Sequence, residues 1–164
     1  MRTVPNISHI AHSATRAALT PLALTVLGLT TLHTPASGAA TAQAARTLNV
    51  ADEAHLRLTG TQGEVLLEEG PAKGALPGTV KVRFAVGATV SGSFTIYPRG
   101  GGSISGHGTA RLHSTGTNAS FGGTMSVSHG TGRYTHAHGH GGFYGTVNRR
   151  TNALVIQTTG RLTY

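Results

Sequence analysis

Acidic residues are missing from most of this 164-residue chain. From residue 70 to residue 164 there is no Asp and no Glu, and all five acids lie between Asp52 and Glu69. Most hydrolytic and acid–base mechanisms rest on a carboxylate, which acts directly or orients a histidine. The absence therefore excludes glycosidase-type carboxylate pairs and EF-hand-type calcium loops from the last 95 residues.

Cysteine and tryptophan are also absent. Without cysteine the fold contains no disulfide and no thiolate metal site. The chain is basic instead, with 13 Lys and Arg against five acids, and nine of these bases follow residue 70. The longest apolar stretch, residues 17–32, is interrupted by threonines and is short for a membrane span.

The N-terminal region has the three parts of a secretory signal in the usual order. A basic segment with Arg2 and Arg16 precedes the apolar stretch, and a segment of small residues follows with the cleavage pattern Ala42-Gln43-Ala44. We therefore predict a signal peptide over residues 1–45 and a single domain over residues 46–164, secreted or associated with the envelope of a bacterial cell. The alternative is an uncleaved membrane anchor, whereas no membrane span is expected after cleavage.

After residue 50 the pattern is that of short strands joined by glycine-containing turns. In residues 80–84, for example, one face of the strand carries Val80, Val82 and Phe84, and the opposite face carries Lys81 and Arg83. Consecutive antiparallel hairpins with one apolar face are most simply closed into a barrel. We predict an all-β, eight-stranded antiparallel up-and-down barrel, with a two-sheet sandwich as the alternative. The predicted strands are 54–60, 63–69, 78–86, 89–98, 103–115, 119–129, 135–148 and 153–163.

A turn in the last third of the chain carries a family resemblance. Gly130-Thr131-Gly132-Arg133-Tyr134 follows one long strand and precedes a glycine-rich strand and a final hairpin. This arrangement resembles the allene oxide cyclase and dirigent-type barrel family, including its small secreted bacterial members. The resemblance implies an eight-stranded barrel over about residues 48–164. Locally, we expect positive φ at Gly130 and Gly132, hydrogen bonds from Arg133 to carbonyls, and Tyr134 as a cap of the barrel end.

The chemistry that the resemblance implies does not carry over to this sequence. Characterised members hold an apolar small molecule in the barrel and steer a cyclisation or radical coupling with a few polar groups, including carboxylates. Here Glu64, Glu68 and Glu69 on the second predicted strand are the acids expected to supply one. We therefore transfer the fold and assign no catalytic residue.

The sharpest cluster of functional side chains is His136-Ala137-His138-Gly139-His140. Residues i, i+2 and i+4 of a strand face the same side, and paired imidazoles bind zinc or copper. The outer two Cα atoms are about 13 Å apart in a straight strand, so a bend at Gly139 or a ligand from a neighbouring strand is required. The alternative is an exposed polar face; otherwise the sequence implies no cofactor.

Basic side chains predict a second kind of site, a surface for an anionic partner. The candidate residues are the arginines Arg111, Arg133, Arg149, Arg150 and Arg161, together with Tyr134. Seven histidines follow residue 45 and add positive charge below about pH 6. Since no block of five like charges occurs, scattered solvated charge is the alternative.

These observations predict a secreted, non-catalytic barrel that binds a small apolar ligand or an anionic extracellular surface. Two further hypotheses are an isomerase or cyclase that uses the barrel lumen, and a His-dependent metal or Arg-dependent polyanion module. Ligand binding requires a lumen that its own side chains do not fill. The bulkiest predicted interior side chains are Phe84, Phe94, Phe121, Met125 and Phe143.

Overall fold

The structure, a computed structural model, describes residues 44–164. These residues form eight antiparallel strands closed into one barrel, in which each strand pairs with its sequence neighbours and β1 pairs with β8. The predicted fold class is confirmed. The described part contains one helical element, the 3₁₀ turn Gly132–Tyr134. The strands are β1 (Thr47–Gln62), β2 (Val65–Gly74), β3 (Gly78–Val86), β4 (Val90–Pro98), β5 (Ser103–Leu112), β6 (Asn118–Thr131), β7 (His138–Asn148) and β8 (Ala153–Thr163).

The barrel has two ends. The terminal end, as we name it, holds the start of β1, the end of β8 and the β2–β3, β4–β5 and β6–β7 links. The hairpin end holds the other links, including the turns at residues 63–64 and 149–152. Arg46 and Tyr164 exchange backbone hydrogen bonds of 2.7 and 2.9 Å at the terminal end. Pairing of the first and last strands therefore continues to the edge of the barrel.

Side-chain alternation directs apolar residues into the barrel, as the sequence pattern predicts. One buried cluster, which extends toward the hairpin end, includes Phe84, Phe121 and Leu154. A smaller cluster at the terminal end includes Leu76 and Tyr134, which come from the links between strands. Burial of one such large apolar side chain contributes about 1.5–3 kcal/mol, so both clusters stabilise the closed form.

Tyr134 closes the terminal end from the β6–β7 link. Its side chain is 1% exposed, and its ring lies 4.8 Å from the ring of Tyr164. Its hydroxyl accepts a hydrogen bond of 2.7 Å from Arg133 Nη2. The Arg133 guanidinium also lies 4.8 Å from the Tyr134 ring centroid and donates to the carbonyl oxygen of Arg99 at 3.4 Å. Both side chains thus hold the link against the barrel.

The glycines of this link differ from the prediction in one respect. Gly132 has a φ of 60°, as expected, but Gly130 is not among the glycines with positive φ. Gly130 is required for another reason, because a Cβ at this position would collide with the carbonyl oxygen of Tyr134. The glycine therefore allows a close approach of two backbone segments rather than a left-handed turn.

Nine of the sixteen strand boundaries differ from the prediction, and four of them differ by three residues or more. One of these is the end of β5, which lies at Leu112 rather than at residue 115. β1 begins at Thr47 rather than at residue 54, and β2 continues to Gly74 rather than ending at residue 69. Pairing with neighbouring strands extends both of them beyond the clear apolar alternation. β7 begins at His138 rather than at residue 135, because the preceding link stays coiled and Ala137 N donates to Tyr134 O at 2.8 Å.

The predicted signal peptide, residues 1–45, lies almost entirely outside the described residues, whereas the predicted domain, residues 46–164, contains all eight strands. Within residues 44–164 there is no helix of sufficient length and hydrophobicity to cross a membrane.

Candidate ligand site in the barrel interior

The barrel interior contains a cavity of about 130 Å³. All eight strands contribute to its wall, together with Leu76 from the β2–β3 link. The wall is almost wholly apolar, and both hydrophobic clusters supply parts of it. Side chains that border the cavity include those of Val80, Ile96, Phe143 and Ile156.

The cavity exists because several interior positions carry little or no side chain. Gly92, Gly108 and Gly160 lie on its wall, as do Ala54 and Ala72. Alternation along the strands directs these positions toward the lumen, and the glycines contribute no side chain to it; a Cβ at any of the three glycines would also press on neighbouring atoms. The bulky interior residues therefore do not fill the barrel. The space that remains is similar in size to an engineered protein cavity of about 150 Å³ that binds benzene.

Asp52 places a carboxyl group on the wall of this cavity. It has the same parity in β1 as the buried Ala54, and its partner in β8 is Thr158, another residue of the wall. Asp52 Oδ1 accepts a hydrogen bond of 3.0 Å from the backbone amide of Leu76. Burial raises the pKa of Asp52 above its ordinary value, although hydrogen bonds from the Leu76 and Ala75 amides act in the opposite direction. The cavity therefore borders a polar group that holds its proton more tightly than usual.

The sequence-based expectation about carboxylates was incomplete. Only Glu64, Glu68 and Glu69 were expected to supply an acid, because the first predicted strand began after Asp52. The sequence did contain the information, because Asp52 lies two residues before Ala54 and therefore faces the same, inward side of β1. Of the expected acids, Glu64 lies exposed in the β1–β2 turn, and Glu69 faces outward and pairs with Lys81 at 3.1 Å.

Glu68 is a second interior acid, and its surroundings are less polar than those of Asp52. It lies on β2 between Leu58 of β1 and Val82 of β3. The residue is 2% exposed, and its buried Oε2 atom has no hydrogen-bond partner. Desolvation raises the pKa of Glu68 to about 7. Because Glu68 is not part of the cavity wall, its main consequence is for the stability of the barrel.

The three histidines of the predicted metal site do not share one face. His138 and His140 are exposed on the outer face of β7, whereas His136 lies in the link before that strand. His138 Nδ1 is 3.0 Å from the carbonyl oxygen of His136. Among residues 44–164, no three His, Cys, Asp or Glu side chains are grouped as metal ligands. Binding of zinc or copper therefore stays a prediction from the sequence pattern.

The predicted anion-binding residues lie at separate places. Arg111 is exposed on the outer face of β5, while Arg149 and Arg150 form the exposed turn between β7 and β8 at the hairpin end. Arg133 belongs to the terminal end, and Tyr134 is buried there. The structure does not bring these five residues onto one surface.

No protein-family model matches this chain, and no curated protein sequence matches it. The interior site is therefore interpreted from its own geometry.

Proposed function

We propose that this protein binds a small apolar molecule inside the barrel and acts outside the cell as a non-catalytic carrier or sensor. The observation that carries the proposal is the apolar cavity of about 130 Å³. Cavities of this kind, lined by aliphatic and aromatic side chains, stay dry and bind benzene-sized molecules. A bound molecule restores dispersion contacts that the lining otherwise lacks. The signal-like composition of residues 1–45 supports the extracellular location.

The dimensions of the cavity restrict the chemical class of the ligand. Pockets for drug-sized molecules usually measure about 300–1,000 Å³, so the occupant is smaller, of the size of one aromatic ring or a short branched hydrocarbon. The carboxyl of Asp52 and the hydroxyl of Thr158 allow one polar group on such a molecule. A charged or strongly polar ligand is disfavoured because the wall is almost wholly apolar.

Unfolding of the full chain in the presence and absence of benzene tests this proposal. At a free concentration of 100 times Kd, a ligand that binds only the folded state stabilises it by about 2.7 kcal/mol. The substitution Ala54→Leu fills the cavity from β1 and is expected to abolish the stabilisation. Ala51→Leu makes the same change on the exposed outer face of the same strand and is expected to leave benzene binding unchanged.

A crystal under xenon pressure provides a readout that does not depend on a variant. We expect a xenon peak bordered by Val80, Ile96 and Phe143, because xenon occupies apolar cavities of this size. If Ala54→Leu and Ala51→Leu both abolish the stabilisation by benzene, benzene binds at a site other than the interior cavity. An interior without xenon, together with no stabilisation by benzene, would reject the proposal.

A second candidate function is that of a lumen isomerase or cyclase, as in the allene oxide cyclase and dirigent-type barrels that the sequence resembles. Asp52 favours this candidate, because a carboxyl with a raised pKa beside a cavity is typical of a proton donor or acceptor. The small volume opposes it, since a cyclisation requires room for two parts of one substrate to meet. Chromatography and NMR spectroscopy of molecules incubated with the protein separate the two functions: a carrier returns its ligand unchanged, whereas an enzyme releases an isomer of the same mass.

A further inference from the structure

The strand register aligns six outward-facing residues on six neighbouring strands. Each is the direct cross-strand partner of the next, so that bases and serines alternate along most of the row. Five of the six are exposed, and the serine of β6 is partly exposed. This row, which we name the basic belt, consists of Arg83 (β3), Ser93 (β4), His107 (β5), Ser126 (β6), His140 (β7) and Arg161 (β8).

Acidic side chains are absent from the strands that form most of the basic belt. β4 to β8 contain no Asp and no Glu. The neighbouring row toward the hairpin end carries small and hydroxyl side chains, namely Ser91, Thr109, Thr124, Gly142 and Thr159. Nothing in this part of the outer wall therefore neutralises the positive charge of the belt, and donors are available beside it.

The charged side chains at the borders of the basic belt are either acids that already have hydrogen-bond or ion-pair partners, or bases. On β3, Lys81 pairs with Glu69 at 3.1 Å, two residues from Arg83 along the strand. On β1, Glu53 lies four residues from Asn49, the partner of Arg161, and its carboxylate binds Gln157 and His55 at 3.0 and 2.7 Å. On β5, β6 and β7 the other titratable side chains are the bases Arg111, His129 and His138 and the phenol of Tyr144.

We propose that the basic belt binds a linear phosphate polymer with a flexible backbone that carries no aromatic bases. Arginine and protonated histidine donate charge-assisted hydrogen bonds to phosphate oxygens, and serine hydroxyls add neutral ones. Neighbouring strands are about 4.8 Å apart, so His107 and His140 stand about 10 Å apart with Ser126 between them. Ser126 Oγ already lies 3.1 Å from His107 Nε2. A polymer laid across the strands meets a hydrogen-bonding side chain at every strand.

The positions of the exposed tyrosines favour a polymer without bases over a nucleic acid. Tyr97 lies four residues from Ser93 toward the terminal end, and Tyr144 lies four residues from His140 toward the hairpin end. Each ring is therefore about 13 Å along its strand from the row, on opposite sides. Surfaces for single-stranded nucleic acid combine a basic groove with aromatic side chains on which bases stack, and the basic belt contains no Phe, Tyr or Trp side chain.

The test is binding of fluorescently labelled inorganic polyphosphate to the full chain, measured by anisotropy over a series of salt concentrations. The double variant Arg83→Gln/Arg161→Gln removes two charges from the basic belt. It is expected to weaken binding about tenfold and to reduce the slope of log affinity against log salt by about two. Arg149→Gln/Arg150→Gln removes the same charge from the hairpin end and is expected to weaken binding by less than about threefold.

The histidines add a pH signature. A proton on His107 or His140 adds positive charge to the basic belt, so binding is expected to be tighter in acidic than in alkaline buffer. The variant His107→Gln/His140→Gln is expected to lose this gain and to bind like the wild type at high pH.

Two results would overturn the proposal. If the two arginine double variants weaken binding equally, the attraction comes from overall charge and not from the belt. If a single-stranded oligonucleotide binds as tightly as polyphosphate, the polymer recognised is not one without bases. Circular dichroism of each variant ensures that a loss of binding is not a loss of fold.

Discussion

The substitution Glu68→Gln is predicted to make the barrel more stable at neutral and alkaline pH. Glu68 is 2% exposed, and its Oε2 atom has no partner. When this carboxyl ionises inside the barrel, nothing compensates for the lost hydration. Glutamine has almost the same shape and carries no charge, so the variant removes the ionisation and keeps the packing.

The sign and size of the effect follow from the pKa of Glu68. It is about 7 in the folded protein against an ordinary value of 4.5, so the folded state binds the proton more tightly than the unfolded state. This contribution to stability is fully present below pH 4.5 and is lost as the pH rises through 7. One pKa unit corresponds to about 1.4 kcal/mol, which gives a total of about 3 kcal/mol. Small proteins have an unfolding free energy of about 5–15 kcal/mol, so the effect is measurable.

Urea unfolding of wild type and variant between about pH 4 and pH 9 measures this difference directly. The two proteins are expected to differ by less than about 1 kcal/mol at the acidic limit, where Glu68 is protonated in both states. Glu69→Gln is the matched control, because it removes the neighbouring carboxyl on the outer face. That variant loses an exposed ion pair with Lys81, which is worth about 0–1 kcal/mol, and is expected to keep the wild-type pH dependence.

The reasoning about Glu68 would be refuted by parallel pH profiles of the wild type and Glu68→Gln. It would also be refuted if the variant were less stable than the wild type above pH 7. Either result would mean that the folded protein satisfies the ionised carboxyl of Glu68.

Two further predictions concern packing in the barrel. Gly145→Ala is expected to lower the unfolding free energy by about 1–3 kcal/mol, because a Cβ there would collide with the ring of Phe121. Gly142→Ala, on the outer face of the same strand, should lower it clearly less, because the closest contact of a Cβ at that position is 3.6 Å. Equal losses in urea unfolding would argue against this packing of Phe121. Tyr134→Phe is expected to cost about 1 kcal/mol through loss of the hydrogen bond from Arg133, and a thermal unfolding midpoint equal to that of the wild type would show that this bond contributes nothing.

Alternation of side chains was sufficient to predict the barrel and most of its interior. Val80, Val82 and Phe84 face inward as expected, and so does Phe121. The pattern failed where an inward position carries an acid. Asp52 and Glu68 both interrupt the apolar parity of their strands, and a carboxyl at such a position ordinarily indicates a loop or an outer face.

The cavity and the basic belt could not be predicted from the sequence, for a different reason. Each depends on which residues of separate strands lie side by side, and irregularities in the register decide this. A register shift between Ser105 and Gly106 determines that His107 is opposite Ser126. A one-residue slip would move the side chains of a strand to the other face. Bulges of this kind leave no reliable mark in a single sequence.

The pairing of β1 with β8 has a consequence for how the protein reaches its folded state. Thr47 and Thr163 meet across a sequence separation of 116 residues, and closing so long a loop costs entropy before native contacts offset it. Neither β1 nor β7 has its full set of partners until β8 has been synthesised. The barrel therefore closes only after β8 has left the ribosome. If residues 1–45 direct export as their composition predicts, a chain that enters a membrane channel before β8 has been made enters it with the barrel still open.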